Sequence, residues 1–186
     1  MTNIRLLALD LDGTLLGADS RVPQENARAV RLAQEAGVQV ALCTGRNHTE
    51  VLTFNSQLEQ SADWAVIANG AAVVDEMTAA LKKTGRFELS PSVMYGGALK
   101  NVELNRRGVH KGAALEKLCA ALGISMEAVM AMGDSDNDRT MVELSGLGVA
   151  MGNAQPSLMA VADAVTGANT DCGVAQAIRQ YCNIVR

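Results

Sequence analysis

Residues 7–14 read LALDLDGT, so two carboxylates, Asp10 and Asp12, directly follow the apolar run of residues 4–9. The apolar run predicts a buried strand, and side chains two residues apart project to the same side of an extended chain. Crowded carboxylates repel one another unless a cation lies between them. The pattern therefore predicts a hard metal ion with oxygen ligands. An acidic loop at the end of a strand explains the same residues, since Asp and Gly are common in turns.

Outside this stretch, short apolar runs alternate with helical patterns along the whole chain. The alternation is typical of an α/β fold, a three-layer Rossmann-like sandwich in which helices cover both faces of a mostly parallel sheet. Further strands are predicted at 38–43, 64–68 and 128–132, with short edge strands at 147–151 and 164–166. Helices are predicted at 23–36, 47–59, 112–122, 136–144 and 173–182.

Polar residues end the first four of these predicted strands. Asp10 and Asp12 follow the first strand, Thr44 the second, Asn69 the third and Asp134 the fourth. Parallel sheets place their sites beyond the carboxyl ends of the strands. We therefore expect these side chains to share one edge of the sheet.

A second acidic stretch, residues 133–138, reads GDSDND and opens a predicted helix after another apolar run. One of its three carboxylates can be the helix N-cap, which leaves the other two unexplained. If the first and fourth strands are neighbours, Asp10, Asp12 and Asp134 converge on one point. Such a group supplies the few carboxylates with which Mg²⁺ is usually bound beside phosphate and water.

Two further stretches offer donors to a phosphate. Thr44, Gly45 and Arg46 follow the second strand, where a hydroxyl and backbone N–H groups can face an oxyanion, although a turn of small residues is the alternative. Lys111 precedes a predicted helix, at an end that generally favours acids. A solvated surface charge is the ordinary interpretation of a single lysine. Among carboxylates, however, Lys111 would offset their repulsion and meet a phosphate as a point charge.

The chain resembles the haloacid dehalogenase superfamily, and more narrowly its Cof-like sugar-phosphatase branch. The resemblance rests on four motifs in this order: D-x-D-G-T, T-G-R, G-V-x-K-G and G-D-x-x-N-D. The branch resemblance also rests on IANGA at 67–71, GVAMGNA at 148–154 and the tail 165–175. The matching motifs cover residues 4–75 and 102–180. The resemblance implies a Mg²⁺-dependent phosphatase of small phosphorylated metabolites, with sugar phosphates as the expected and not necessarily exclusive substrates.

The resemblance also implies roles for individual residues. Asp10 would attack phosphorus, and Asp12 would protonate the leaving oxygen and later activate the water that hydrolyses the aspartyl-phosphate. Thr44 and Lys111 would hold the transferring phosphoryl oxygens. Asp134 would bind Mg²⁺ together with Asp10 and the backbone carbonyl of Asp12.

The remaining implied residues complete two sets. Asp138 would orient Lys111 or a metal-bound water, whereas Asp136 is interpreted as an acid of the first helical turn. The expected metal set is Asp10, Asp12, Asp134 and Asp138. The expected substrate-binding set is Thr44, Gly45, Arg46, Asn69, Lys111 and Asn137, with Asn47 as a further candidate.

The segment between the third strand and the lysine motif departs from the family. Cof-like phosphatases carry a domain-sized cap there, whereas only 40 residues separate Gly70 from Lys111 in this chain. A full cap cannot fit into that length. We expect a catalytic core of residues 1–75 and 103–186, with residues 76–102 as a cap remnant or hairpin insertion.

Composition narrows the function classes. The net charge of -4 comes from interspersed acids and bases, so no segment predicts binding to nucleic acid or a membrane surface. The four cysteines, Cys43, Cys119, Cys172 and Cys182, have no zinc-binding spacing and predict reduced thiols in a cytoplasmic protein. The expected partner is a small phosphomonoester, and a homo-oligomer is compatible with the sequence. A phosphotransferase or phosphomutase that uses Asp10, and a non-catalytic binding protein of the same fold, are the alternative functions.

Overall fold

Eight strands and six α-helices are found in the computed structural model, which describes residues 3–46, 48–59, 62–67, 87–94, 99–106 and 108–182. The strands are β1 (Leu6–Leu9), β2 (Gln39–Thr44), β3 (Trp64–Ile67), β4 (Phe87–Met94), β5 (Leu99–Arg106), β6 (Val129–Gly133), β7 (Leu147–Ala150) and β8 (Ala164–Val165). The helices are α1 (Gln24–Glu35), α2 (His48–Asn55), α3 (Lys111–Leu122), α4 (Arg139–Leu144), α5 (Pro156–Met159) and α6 (Gly173–Tyr181). No helix in this described part of the chain has the length and hydropathy needed to cross a membrane.

Six of the strands form one sheet in the order β3-β2-β1-β6-β7-β8, with every neighbouring pair parallel. All residues of β1 and β6 are buried, which requires cover on both faces of the sheet. The helices supply this cover, with α1 packed against α6 and α3 packed against α4. The expected α/β fold with a parallel, helix-covered sheet is therefore confirmed.

The sheet order reverses at β1, and this reversal determines where a site can form. From β1 the chain builds β2 and β3 on one side, and later adds β6, β7 and β8 on the other. The carboxyl ends of β1 and β6 lie side by side, with Leu9 opposite Met132. Helices that leave two neighbouring strands in opposite directions open a crevice at this point, which is the usual ligand position in such sheets.

One detail of the sheet prediction was wrong. The strand at 147–151 was expected at an edge, but β7 lies between β6 and β8 in the interior of the sheet. The helix expected at 136–144 begins with a 3₁₀ turn, Asp136–Asp138, before α4. The N-cap of that turn is Ser135, whose backbone N–H donates to Asp138, whereas α4 itself has a carboxylate residue, Asp138, at its N-cap position.

The segment between β3 and α3 contains an antiparallel pair, β4 and β5, that is separate from the main sheet and pairs Phe87 with Arg106 and Met94 with Leu99. The second strand of the pair extends beyond residue 102, where the insertion was expected to end. Strand β4 passes close to the turn Asp136–Asp138, at the carboxyl edge of the main sheet. The division into a core and an insertion at 76–102 stays a prediction.

Candidate active site

Beyond the carboxyl ends of β1 and β6, a buried lysine is held between two buried carboxylates. Asp10 follows β1, Lys111 begins α3 and Asp138 ends the 3₁₀ turn after β6. The Nζ of Lys111 lies 2.6 Å from Oδ1 of Asp10 and 2.6 Å from Oδ1 of Asp138. Their exposed fractions are 5% for Asp10, 3% for Lys111 and 0% for Asp138. Three separate chain segments thus meet in one ionic cluster.

A third carboxylate, that of Asp134, completes a group suited to a cation. Ligand atoms of Asp10, Asp134 and Asp138 all lie within 4.8 Å of one another. Gly13 has a φ of 77°, and a Cβ at that position would overlap the carboxylate of Asp134. Only glycine combines this left-handed backbone with the close approach, which explains why D-x-D is followed by Gly.

Both carboxylate oxygens of Asp138 accept hydrogen bonds from other groups of the protein. Oδ1 accepts from Lys111, while Oδ2 accepts from the backbone N–H groups of Asp134 at 3.0 Å and Ser135 at 3.2 Å. A Cβ at Gly133 would overlap the Asp138 side chain, so the preceding glycine makes room for this arrangement. The geometry suits Asp138 to orient Lys111 and the Asp134 loop.

Charge balance supports a divalent cation at this group. Burial raises the pKa of Asp10 well above its ordinary value, the carboxylate of Asp138 raises it further, and Lys111 acts in the opposite direction. Burial likewise raises the pKa of Asp134 to about 7, with Asp138 contributing. Burial alone would lower the pKa of Lys111, but the two carboxylates outweigh it and keep the ammonium charged. When all three carboxylates are ionised, one ammonium leaves two negative charges, which protons or a bound divalent cation can compensate.

We expect the stability of the metal-free protein to fall as pH rises, because Asp134 binds its proton more tightly in the folded state than in the unfolded chain. Its pKa of about 7 exceeds the ordinary 3.8, so this contribution is complete at low pH and is lost as pH rises through about 7. Asp134→Asn should abolish this loss of stability. Relative to wild type in chelator, the unfolding free energy of the variant should therefore rise by about 2 kcal/mol between about pH 5 and about pH 8. Thermal unfolding should show this as a relative shift of about 4–8 °C.

Asp136→Asn is the matched control for this measurement, because Asp136 lies two residues after Asp134 and accepts from the hydroxyl of Ser157. An equal pH response in wild type and Asp134→Asn would contradict the prediction. Added Mg²⁺ should stabilise wild type at the higher pH and should have less effect on Asp134→Asn.

The second strand brings Thr44 and Arg46 to the same edge. Thr44 is buried at the end of β2, and its hydroxyl accepts from the backbone N–H of Arg46 at 3.1 Å, with Gly45 between them. The guanidinium of Arg46 donates to both carboxylate oxygens of Asp12, from Nε at 2.7 Å and from Nη2 at 2.6 Å. Asp12 is half-exposed, in contrast to Asp10.

The structure therefore gathers most of the expected residues at one edge of the sheet. Asp10, Lys111 and Asp138 form the buried cluster with the partly buried Asp134, and Asp12 is paired with Arg46 at the same edge. Asn137 lies in the 3₁₀ turn and accepts from the hydroxyl of Ser135 at 2.6 Å. Asn69 and Asn47 lie outside the described residues.

Two asparagines that hold the Asp12 loop were not identified from the sequence. Asn153 donates to the carbonyl of Gly13 at 2.8 Å, and Asn169 donates to the carbonyl of Leu16 at 2.8 Å. The backbone N–H of Asn169 also donates to Asn153 at 2.8 Å, which joins the two. Both residues lie in the stretches 148–154 and 165–175, which carried the branch resemblance without any assigned role.

Comparison with known proteins yields a consistent set of similarities. A family model described as haloacid dehalogenase-like hydrolase matches residues 7–88 and 82–178. The chain is 31% identical to a 5-amino-6-(5-phospho-D-ribitylamino)uracil phosphatase of Bacillus subtilis, over 96% of each chain. It is also 31% identical to a phosphoglycolate phosphatase of Methanothermobacter thermautotrophicus, over 96% of this chain and 99% of the relative. A solved haloacid dehalogenase-like hydrolase from B. subtilis has a TM-score of 0.77 at 24% identity, covering 96% of this chain and all of that one.

The relatives contain an internal stretch that this chain lacks. The alignment with the B. subtilis phosphatase spans 240 positions, although this chain has only 186 residues. The family model matches in two pieces that overlap at residues 82–88. The missing stretch therefore falls within the segment between β3 and α3.

Proposed function

Since this chain belongs to the haloacid dehalogenase-like hydrolases and is a phosphatase, we propose that it hydrolyses small phosphomonoesters through a phosphorylated Asp10 with Mg²⁺ as its metal ion. The observation that supports this proposal most directly is the position of Asp10, which is buried at the carboxyl end of β1 with its Oδ1 2.6 Å from Nζ of Lys111. A carboxylate at the topological switch point, fixed in direction by one ammonium, is suited to attack a phosphorus atom in line with the leaving group.

The proposed reaction has two steps. In the first, an oxygen of Asp10 forms a bond to phosphorus, the bond from phosphorus to the ester oxygen breaks, and Asp12 gives its proton to that oxygen. In the second, a water oxygen attacks the aspartyl-phosphate, Asp12 takes the proton of the water, and the bond between Asp10 and phosphorus breaks. Splitting the displacement in this way replaces one difficult step by two easier ones.

Lys111 and Thr44 are proposed to stabilise the transferring phosphoryl group. Lys111 supplies a positive charge that burial keeps away from solvent, where such a charge has its largest electrostatic effect. Thr44 lies at the end of the neighbouring strand β2, with its hydroxyl near the same edge of the sheet. Asp138 is proposed as a positioning residue, because both its oxygens already bind Lys111 and the backbone.

Asp10, Asp134 and the backbone carbonyl of Asp12 are proposed to hold Mg²⁺. The support is the uncompensated charge of the carboxylate group and the oxygen-only donor set, which suits a hard cation. When bound, Mg²⁺ would neutralise charge on the phosphoryl oxygens and on Asp10. Direct coordination by Asp138 stays a prediction.

Chelation is expected to abolish phosphate release from p-nitrophenyl phosphate, and Mg²⁺ is expected to restore it. Ca²⁺ should bind yet support turnover poorly, because it accepts about 6–8 oxygens at longer distances and tolerates a bidentate carboxylate. A bidentate Asp10 would lose its line of attack. Full activity after exhaustive chelation would contradict the proposed metal site.

The proposed substrates are small phosphorylated metabolites, with sugar phosphates as the first class to test. The two relatives at 31% identity are named for phosphatases of small molecules, one a phosphoribityl compound and the other phosphoglycolate. The internal stretch that this chain lacks falls where cap contacts to the leaving group are expected. Few residues would then be available to distinguish one leaving group from another.

We therefore expect kcat/KM to vary by less than about 10³-fold, or about 4 kcal/mol, across a panel of sugar, nucleotide and cofactor phosphates. The measurement is steady-state phosphate release for each ester, with light scattering to determine the mass of the protein in the same buffer. A single substrate that exceeds all others by more than this factor would contradict an open site. A homo-oligomer would be seen in the scattering mass, and assembly stays a prediction.

A further inference from the structure

The carboxylate of Asp12 is held by Arg46 in a two-pronged ion pair. Arg46 donates from Nε to Oδ2 at 2.7 Å and from Nη2 to Oδ1 at 2.6 Å. The two residues are 34 positions apart in sequence and reach each other because β1 and β2 are neighbours. Bidentate pairs of this kind fix the plane of the carboxylate as well as its position.

Helix α2 holds Arg46 from the other side. Nη1 of Arg46 lies 3.2 Å from the carboxylate of Glu50, and the guanidinium carbon lies 4.7 Å from the centre of the Phe54 ring. Exposed ion pairs commonly contribute little, because two mobile side chains must be ordered to form them. Here the guanidinium is oriented by Glu50 and Phe54, and its side chain is only 24% exposed. The pair with Asp12 is therefore preorganised.

The contacts with Asp12 and Glu50 use guanidinium nitrogens of Arg46 that would otherwise donate to a bound anion. Nε and Nη2 face Asp12, and Nη1 faces Glu50. A phosphate oxygen would have to compete with two carboxylates for Arg46, whereas Lys111 already lies beside Asp10 in the buried cluster. The geometry thus favours a contact between Arg46 and the proton-transfer group over a contact with the phosphoryl group.

We propose that Arg46 is a positioning residue that orients Asp12 for proton transfer, and that α2 sets this orientation through Glu50 and Phe54. The proposal rests on the proposed function, in which Asp12 gives a proton to the ester oxygen and takes one from water. Each carboxylate oxygen has two lone-pair sites, so an oxygen that accepts from Arg46 still has a site for a proton. Arg46 itself gains and loses no proton in either step.

This role predicts a dependence on the leaving group. An alkoxide leaves poorly without a proton, whereas p-nitrophenoxide is stable enough to leave unprotonated. Loss of Arg46 should therefore lower kcat/KM for ethyl phosphate by about 10–10²-fold, with a change below about threefold for p-nitrophenyl phosphate. A residue that contacts the phosphoryl group would affect both esters equally, because that group is common to them. The ratio kcat/KM is suitable because it reports only the steps up to aspartyl-phosphate formation.

The experiment compares Arg46→Met, Arg46→Lys, Asp12→Asn and the double variant Arg46→Met with Asp12→Asn, all with Mg²⁺ and both esters. Arg31→Met is the matched control, since Arg31 forms a similar double ion pair on the exposed face of α1 with Glu35 and Glu59. Thermal unfolding of each variant establishes that it is folded. Arg46→Lys keeps the positive charge but cannot donate to both carboxylate oxygens in the same way. Its kcat/KM for ethyl phosphate should therefore fall less than that of Arg46→Met, again with little change for p-nitrophenyl phosphate.

The double variant gives the sharpest result. If Arg46 acts through Asp12, the double variant should be no slower on ethyl phosphate than Asp12→Asn alone. Equal losses on both esters for Arg46→Met, independent losses in the double variant, or wild-type rates for Arg46→Lys would each overturn the proposal. If Asp12→Asn itself shows no preference between the esters, the proton-transfer role of Asp12 fails and the proposal for Arg46 fails with it. A selective loss in Asp12→Asn without one in Arg46→Met overturns the proposal for Arg46 alone.

Discussion

Asp10→Asn is expected to lower phosphate release by about 10⁴-fold or more while leaving the fold intact. The amide has nearly the shape of the carboxylate, so the buried space at the end of β1 stays filled. It lacks the negative charge that forms the bond to phosphorus. The variant also removes one of three crowded carboxylates, so the folded state should not be destabilised in the absence of metal.

The measurement is initial phosphate release from p-nitrophenyl phosphate with Mg²⁺, together with thermal unfolding followed by circular dichroism. Asp136→Asn is the matched control, because it makes the same chemical change in the turn next to the buried cluster. A folded Asp10→Asn protein with near wild-type turnover would refute the nucleophile assignment. Loss of activity in the control as well would point to a general effect of amide substitution at this edge.

Lys111→Met is expected to reduce both activity and stability. Lys111 is buried and is shared by Asp10 and Asp138, so its removal leaves buried carboxylates without their cation. Breaking a buried pair from one side costs about 3–5 kcal/mol of unfolding free energy. Loss of one charged contact to the transition state should lower kcat by about 10²–10³-fold. Mg²⁺ should recover part of the stability, since it compensates some of the negative charge that Lys111 no longer balances.

Denaturant unfolding in chelator measures the stability change, with Lys117→Met as the matched control on the exposed side of the same helix. The double variant Lys111→Met with Asp138→Asn should be more stable than Lys111→Met alone, because both members of one buried pair are then removed. A Lys111→Met protein that unfolds within about 1 kcal/mol of wild type would show that the ionic cluster is not desolvated as its burial implies.

Local patterns in the sequence predicted most of the elements and the chemistry of their ends. The apolar run before Asp10 predicted β1, and the run before Gly133 predicted β6, each within a few residues of the observed bounds. Such runs are informative because a strand covered on both faces has no polar positions. The carboxylates after these strands indicated a cation site, because buried charges need a compensating charge nearby.

Sequence reasoning identified Lys111 and Asp138 as members of the site, but only the tertiary structure placed the ammonium between Asp10 and Asp138 at equal distances. The interior position of β7 was likewise found only in the structure. A short apolar run has the same sequence pattern in an edge strand as in an interior strand.

The sequence by itself determined the α/β class, the two acidic strand ends and the family of hydrolases, because these depend on periodicity and on motifs that are contiguous in the chain. The tertiary structure alone decided which donors face which acceptors. A contact of Arg46 with substrate stays a prediction, whereas only the structure places its guanidinium against Asp12, Glu50 and Phe54. The physical reason is that hydrogen bonds and ion pairs depend on distances of a few ångströms between side chains far apart in sequence. Those distances exist only after β1 and β2 pair and α2 packs beside them.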